Sequence, residues 1–223
     1  FFLQFPEANP VIVAIIDTGI EVAHEDLHSN LWVNELERSG QPGVDDDENG
    51  YIDDIHGYNF VAENGDPSHQ TPNDHGTHVA GLVAAVAGNE RGGVGVAGFR
   101  ARIMALNVFG VNWGTETVFI DRAIRYAADN GANVINISIN GGGRSDTTAA
   151  AIVYALEKGV AVVVSAGNKS EDIGLNFTFP ASYAGQYHGL ISVGAIDAET
   201  GERCDFSNYS PQLVKVAAPG CDA

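Results

Sequence analysis

The sequence predicts an α/β fold with a doubly wound, mostly parallel sheet flanked by helices. The first observation is the type of strand, because 11–16 and 161–165 are apolar, β-branched runs. Strands that are apolar on both faces are typical of a buried parallel sheet. The second observation is order, since such runs alternate with helical segments of roughly ten to fifteen residues, the pattern of βαβ units. The third is length, because 223 residues can bury a sizeable core in one domain.

Each strand is predicted from an apolar run bounded by turn-forming residues. After the strand at 11–16, the runs that qualify are 101–109, 133–139, 160–165 and 189–196. The helices are predicted from their apolar content and periodicity at 79–86, 115–130 and 146–158. Gly131 and Gly159 follow the last two helices, and glycine is common just after a helix end.

Composition limits the possible partners. The formal net charge of −18 argues against nucleic acid, whose phosphates require cations, and suits calcium or simple solubility. We also expect no membrane association, because no window is long and apolar enough to span a bilayer. Cys204 and Cys221 either pair in a secreted protein or remain two separate thiols, and the sequence leaves both alternatives open.

Three polar residues occupy the ends of predicted elements. Asp17 and Asn168 follow buried strands, and functional groups of open α/β sheets collect at the carboxyl ends of strands. His75 lies at the N-terminal end of a helix rich in small apolar residues. We expect the positive end of the helix dipole to lower the pKa of His75, which would favour the neutral imidazole of a general base. The alternative for His75 is a capping or hydrogen-bonded residue at a loop–helix junction.

Three motifs in chain order resemble the signatures of the subtilisin-like serine proteases. They are Val-Ala-Ile-Ile-Asp-Thr-Gly at 13–19, His-Gly-Thr-His-Val-Ala-Gly at 75–81 and Ser-Ala-Gly-Asn at 165–168. Later segments at 179–183, 206–209 and 216–220 agree with the same family. The resemblance implies a three-layer subtilisin-like fold and acyl-transfer chemistry through an Asp-His-Ser triad.

The resemblance also assigns roles to residues. Asp17 would orient the imidazole, His75 would be the base and Asn168 would donate its amide N–H to the oxyanion, whereas His78 would be structural. An extended peptide would add as a strand to two segments. These substrate-binding residues are Ser138, Ile139, Asn140 and Gly141 in the first segment, and Ser165, Ala166 and Gly167 in the second.

The nucleophile of this family is not found in the sequence. The family carries it in a Gly-Thr-Ser-Met-Ala helix start after the Ala-Ala-Pro-Gly segment, and no serine here has that context. Asp74 also replaces the glycine that commonly precedes the catalytic histidine. We therefore expect residues 1–223 to be one peptidase domain that is incomplete at its C-terminus, and inactive without the missing segment. Its own propeptide would be a further partner, and the protein would be secreted.

An acidic loop predicts a calcium site. Oxygen-bearing side chains alternate along the loop, followed by a glycine for the sharp turn, as in the first half of an EF-hand loop. The candidate ligands are Asp45, Asp47, Asn49, the Tyr51 carbonyl and Asp53 or Asp54. His56 stands where an EF-hand has its bidentate glutamate, so one of the last two aspartates must complete the shell. The alternative is a solvated acidic loop.

A second, weaker calcium site is implied by the resemblance. Asp26, in the segment His-Glu-Asp-Leu, matches an aspartate that often binds calcium in this family, and Asn89 in the following glycine-rich turn would be its partner. The alternative for Asp26 is a helix cap.

Two functions therefore remain. The first is a calcium-stabilised, secreted serine endopeptidase acting on peptides or proteins. The second is a non-catalytic peptide-binding or structural domain with the same fold.

Overall fold

The computed structural model of the protein describes residues 9–69, 73–112 and 114–221. The chain divides into two compact units, unit 1 at Phe1–Val134 and unit 2 at Ile135–Ala223. No helix in the described ranges is long and apolar enough to cross a bilayer.

Unit 1 contains three strands, β1 (Val11–Asp17), β2 (Gly57–Asn59) and β3 (Ala101–Asn107), in the order β2-β3-β1. Both pairings are parallel, and their register aligns Asp17 with Asn107 and Asn107 with Asn59. The carboxyl ends of the three strands therefore meet at one edge of the sheet, which places polar side chains where sites form in α/β folds.

The α-helices in the described part of unit 1 are α1 (Glu35–Ser39), α2 (His75–Ala84) and α3 (Thr117–Asp129). Helix α2 packs on β1 and β3, and α3 packs on β1. The buried side of α2 carries Ala80 and Ala84, which join the core with residues of both strands. Small side chains let the helix axis lie close to the sheet, which brings the first turn of α2 near the end of β1.

Unit 2 contains β5 (Ala161–Ser165), β6 (Leu190–Ile196) and β7 (Val214–Pro219), and β4 (Val134–Ile137) begins at the boundary between the units. The strand order is β4-β5-β6-β7, with parallel pairing of β5 to β6 and of β6 to β7. Helix α4 (Asp146–Glu157) packs on β5. The Ser145 hydroxyl caps this helix by accepting the Thr148 backbone N–H at 3.2 Å.

The predicted fold class is confirmed, because the structure has seven parallel strands with flanking helices. The bounds shift by a few residues, as with the helix predicted at 115–130, which is Thr117–Asp129. Three elements were not predicted: α1, β2 and β7. Strand β2 has three residues and depends on its pairing with β3 rather than on a pattern of its own.

Cys204 and Cys221 form a disulfide, which settles the alternative that the sequence left open. The bond joins the segment after β6 to the residues that follow β7. It thereby fixes this part of unit 2 covalently.

Gly76, in the first turn of α2, has no room for a side chain. A Cβ there would lie 2.3 Å from the Gly19 carbonyl oxygen, which belongs to the turn after β1. Gly81, in the same helix, has nothing within 4 Å of its Cβ position. We therefore expect Gly76→Ala to lower the free energy of unfolding by about 2–3 kcal/mol, because backbone must move to relieve the overlap.

Gly81→Ala is the matched control. It should raise the free energy of unfolding by up to about 1 kcal/mol, since alanine is the better helix former. Urea unfolding of both variants measures the difference. Equal effects of the two substitutions would contradict the close contact of α2 with the β1 turn.

Candidate functional site

Asp17 is the last residue of β1 and is almost fully buried, with 1% of its surface exposed. Its Oδ1 accepts the Thr18 backbone N–H at 2.7 Å, and its carbonyl oxygen accepts the Val108 N–H at 3.0 Å. The side chain is therefore held by its own turn, and its backbone is held by the residue that follows β3. A buried carboxylate held in this way can direct a partner side chain.

His75 is that partner. It is the first residue of α2, and its Nδ1 lies 2.7 Å from Asp17 Oδ1. Because an ionised carboxylate only accepts, Nδ1 carries the proton and donates it. The imidazole is about half exposed. This tautomer leaves Nε2 as the nitrogen that can accept a proton from a nucleophile.

Two hydroxyl groups fix the first turn of α2 against the turn after β1. Thr18 Oγ1 accepts the Gly76 backbone N–H at 3.0 Å, and Thr77 Oγ1 accepts the Glu21 backbone N–H at 3.0 Å. The Asn73 side chain accepts the His75 N–H, also at 3.0 Å. The bonds from Gly76 and His75 satisfy helix N–H groups that lack intrahelical partners, and all three bonds hold the first turn of α2 in place.

The expected direction of the His75 pKa was wrong. The hydrogen bond from His75 to Asp17 raises the pKa of the imidazole above its ordinary value of 6.5, burial opposes this, and the charges of Asp17 and Asp74 raise it further. The expectation rested on the backbone dipole of the helix alone, whereas the two carboxylates raise the pKa of His75. The imidazole is therefore neutral, and able to act as a base, only above this raised pKa.

A second cluster in unit 1 consists of three carboxylates that we call the acidic pocket: Glu37, Asp47 and Asp54. One oxygen from each lies within 4.8 Å of the others. Glu37 and Asp54 are buried, with 4% and 0% of their surface exposed. Carboxylates this close repel one another unless a cation neutralises them, and oxygen ligands are those that calcium prefers.

Neutral side chains complete the acidic pocket. Asn34 Nδ2 donates to Asp47 and Asp54 at 2.9 Å each, and Asn49 Nδ2 donates to the same carboxylates at 3.1 and 2.9 Å. The Tyr126 hydroxyl donates to Asp54 Oδ2 at 2.5 Å. Burial raises the pKa of Asp54 above its ordinary value, and the charge of Asp47 adds to the increase. The hydrogen bonds that Asp54 accepts from Tyr126, Asn49 and Asn34 oppose it.

The predicted ligands of the acidic loop fall into two groups. Asp47, Asn49 and Asp54 lie in or beside the acidic pocket. In contrast, Asp45 accepts the Asn49 and Gly50 backbone N–H groups, and the Asp53 carboxylate accepts that of Gly43 at 2.9 Å. The Tyr51 N–H donates to Asn49 Oδ1 at 2.8 Å, which shapes the loop between these residues.

Sequence reasoning missed Glu37 and Asn34. Glu37 lies in α1 and Asn34 is its N-cap residue, so both precede the acidic loop in the chain. Glu37 Oε1 accepts the Asp46 N–H at 2.6 Å, and Oε2 accepts the Asp53 N–H at 2.8 Å. A search confined to loop spacing could not find them, because only the folding of α1 against the loop brings them there.

The second candidate pair also comes together. Asn89 Nδ2 donates to Asp26 Oδ1 at 2.6 Å, and Asp26 is buried with 5% of its surface exposed. Among the described residues, Asp26 does not belong to a group of three His, Cys, Asp or Glu side chains that could hold a metal. The short 3-10 helix that follows, His28–Asn30, has Leu27 at its N-cap, so Asp26 does not cap it.

Unit 2 contains the predicted oxyanion donor and the substrate-binding segments. Asn168 follows the end of β5 and is exposed, whereas Ala166 and Gly167 are buried. The Asn140 side chain donates to the Ser165 carbonyl at 3.3 Å, so the two predicted segments meet at this point.

The other members of the first segment follow the end of β4. The Ser138 hydroxyl accepts from Asn136 Nδ2 at 3.0 Å, Ile139 is partly buried, and Gly141 has a φ of 115°.

Comparison with known proteins gives one consistent result. The chain is 37% identical over 211 residues to the thermophilic serine proteinase of Bacillus sp. (strain AK1), covering 94% of this chain and 44% of that protein. It is 31% identical over 224 residues to subtilisin-like protease 1 of Plasmodium berghei (strain Anka), covering 94% of this chain and 37% of that protein. The chain thus spans less than half the length of these two relatives.

A solved structure agrees with the sequence matches. The structure of the proteases from Pseudoalteromonas arctica PAMC 21717 has a TM-score of 0.73 at 29% identity, covering 95% of this chain and 63% of that chain. The family model described as the subtilase family, Peptidase_S8, matches residues 8–223. The chain, in which Asp17 and His75 are paired, therefore belongs to the subtilase family of serine peptidases.

Proposed function

We propose that this chain carries the aspartate and the histidine of an Asp-His-Ser triad in a serine endopeptidase. The observation that carries the proposal is the 2.7 Å bond from His75 Nδ1 to the buried carboxylate of Asp17. This bond fixes the tautomer that leaves Nε2 free to accept the proton of a serine hydroxyl. Peptides or proteins are the proposed substrates.

The residues have distinct roles in the proposed reaction. His75 takes the hydroxyl proton as the serine attacks the scissile carbonyl, and later returns a proton to the leaving amine. Asp17 holds the ring and stabilises the imidazolium that forms. Asn168 donates its side-chain N–H to the oxyanion, and the substrate backbone pairs with the segments 138–141 and 165–167.

The nucleophile is a serine that residues 1–223 do not contain in the family's context. We propose that these residues act as one peptidase domain, that a C-terminal segment supplies the serine, and that the protein's own propeptide is a partner. The 223-residue chain alone would then be inactive, because a base without an attacking hydroxyl retains only residual catalysis.

Calcium in the acidic pocket is a further part of the proposal. Glu37, Asp47 and Asp54 supply oxygen ligands, and the amide of Asn34 can present its oxygen instead of its N–H by turning over. Bound calcium would neutralise the mutual repulsion of the carboxylates and tie α1 to the loop. Asp26 and Asn89 form a second, weaker candidate site.

We also propose that the protein is secreted. The Cys204–Cys221 disulfide supports this, because such bonds persist in oxidising environments outside the cell. The alternative function is a non-catalytic domain that binds peptides on the same segments, and the test of the triad separates the two.

In the full-length protein, Asp17→Asn should lower kcat/KM for a peptide substrate by roughly 10⁴-fold, because the neutral amide no longer holds the tautomer or stabilises the imidazolium. Losses of this order follow removal of the triad aspartate in other serine proteases, subtilisin among them. Steady-state hydrolysis of a fluorogenic peptide measures the effect.

Asp74→Asn is the control for charge alone. Asp74 also raises the pKa of His75, but only through its charge. The Asp74→Asn variant should change kcat/KM by less than about 10-fold, since exposed charges interact weakly.

A fluorophosphonate probe should label the full-length protein and not residues 1–223. A peptide-binding but inactive full-length protein would establish the alternative function, and labelling of a serine within 1–223 would relocate the nucleophile.

Calcium should raise the melting temperature of the chain relative to EDTA. A metal at 100 times its dissociation constant stabilises the native state by about 2.7 kcal/mol, or roughly 5–10 °C for a domain of this size. Asp54→Asn should remove most of this difference, because the substitution deletes a buried ligand charge. Differential scanning calorimetry measures both proteins.

The matched control is the neighbouring carboxylate. Asp53→Asn should keep most of the calcium-dependent shift, since the Asp53 side chain binds the Gly43 N–H. Terbium emission sensitised by nearby aromatic side chains, among them Tyr126 beside Asp54, measures metal binding in both variants. Equal losses of the calcium-dependent shift in the two variants, or no loss in either, would contradict the proposal that calcium binds in the acidic pocket.

A further inference from the structure

A buried amide in unit 2 holds the loop that carries Asn168. Asn208 has 1% of its surface exposed. Its Oδ1 accepts the backbone N–H groups of Lys169 and Glu171 at 2.9 and 3.0 Å, and its Nδ2 donates to the Ala166 carbonyl at 3.0 Å. The three bonds lie on both sides of Asn168 in the chain, so one side chain fixes the loop before and after it.

The backbone around Asn208 adds to this attachment. The Asn208 N–H donates to the Gly167 carbonyl at 2.7 Å. The Ser170 N–H donates to the Phe206 carbonyl at 2.8 Å, and the Tyr209 N–H donates to the Glu171 carbonyl at 3.0 Å. Asn168 itself is exposed, so its neighbours rather than its own packing determine where it lies.

The loop also approaches Asn208 closely. Gly167 has a φ of 104°, and a Cβ at this position would lie 2.5 Å from Asn208 Nδ2 and 2.7 Å from the Asn140 side chain. Glycine permits both the conformation and the contact. The loop therefore cannot move toward Asn208, and the three hydrogen bonds keep it from moving away.

Asparagine suits this position for a chemical reason. Two backbone N–H groups need an acceptor, and one carbonyl needs a donor, around the same buried side chain. A single amide provides both in one plane, whereas a carboxylate provides only acceptors and alanine provides neither. Leaving such groups without partners in the interior is costly, which makes the side chain difficult to replace.

We propose that Asn208 is a positioning residue for the oxyanion donor, acting through the loop that holds Asn168. The inference rests on the proposed function, in which Asn168 donates to the oxyanion. Such a donor accelerates the reaction only when it is already aimed at the place where charge develops. Small displacements of the loop would therefore affect the transition state more than the bound substrate.

Asn208→Asp in the full-length protein tests this directly. The variant keeps the shape and the acceptor oxygen but replaces the donor to Ala166 by a second acceptor. We expect kcat for a fluorogenic peptide to fall roughly 10- to 100-fold with KM within about 3-fold, since complete loss of an oxyanion donor costs about 10²- to 10³-fold. Asn208→Ser, which shortens the reach of the side chain, should give the same division between kcat and KM.

A double substitution separates positioning from general stability. In an Asn168→Ala background, Asn208→Asp should change kcat by less than about 3-fold, because its effect passes through a side chain that is no longer there. Effects that multiply in full would overturn the proposal and leave Asn208 as a structural residue only. An unchanged kcat in Asn208→Asp alone would overturn it as well.

Asn30→Asp in unit 1 is the matched control. Asn30 is also buried, at 5% exposure, and its Nδ2 donates to the Ala84 carbonyl at 2.9 Å. This variant loses the same kind of bond at a position far along the chain from Asn168. Its kcat should therefore stay within about 3-fold of that of the unsubstituted protein.

Amide hydrogen exchange provides a readout that does not depend on activity. Asn208→Ala should accelerate exchange at Lys169 and Glu171 at least 10-fold, because their acceptor is removed. Accelerated exchange in a full-length protein that does not hydrolyse peptides would refute the proposed function and, with it, the catalytic part of this inference. Unchanged exchange in an active protein would refute the inference alone.

Discussion

The close contact between the first turn of α2 and the end of β1 is the constraint on which the site depends. Gly76 lets the helix backbone approach the Gly19 carbonyl, and only then does His75 Nδ1 come within 2.7 Å of Asp17. Because the pair raises the pKa of His75, it stabilises the fold fully below the unfolded value of about 6.5. That contribution is lost as the pH rises through the higher folded pKa. The form of His75 that acts as a base is therefore the form in which the pair stabilises the fold least.

Repulsion between like charges explains why the acidic pocket is built as it is. Asp54 is buried among groups that donate to it, with Tyr126 and Asn49 bonded to Oδ2 and Asn34 bonded to Oδ1. These donors reduce the cost of keeping carboxylates together, and a bound cation would reduce it further.

Much of the fold and the pairing of Asp17 with His75 could be predicted because the relevant residues stand at the ends of strongly patterned segments. Asp17 follows a buried strand and His75 opens a helix, and both features are visible in the sequence. Glu37 could not be predicted, since it lies outside the loop whose spacing suggested calcium. The direction of the His75 pKa was wrong because it depends on two carboxylates that pattern analysis treats separately. Strand β2 was missed because its three residues depend on tertiary pairing.

The pairing of Asp17 with His75 is most directly tested by an NMR titration of the His75 imidazole in the 223-residue chain. We expect a pKa above 6.5, with the proton of the neutral form on Nδ1. Asp17→Asn should shift this pKa downward, because it removes the largest cause of the increase. A His75 pKa at or below 6.5, or one that Asp17→Asn leaves unchanged, would contradict the conclusion that the Asp17 carboxylate holds the imidazole and favours its protonated form.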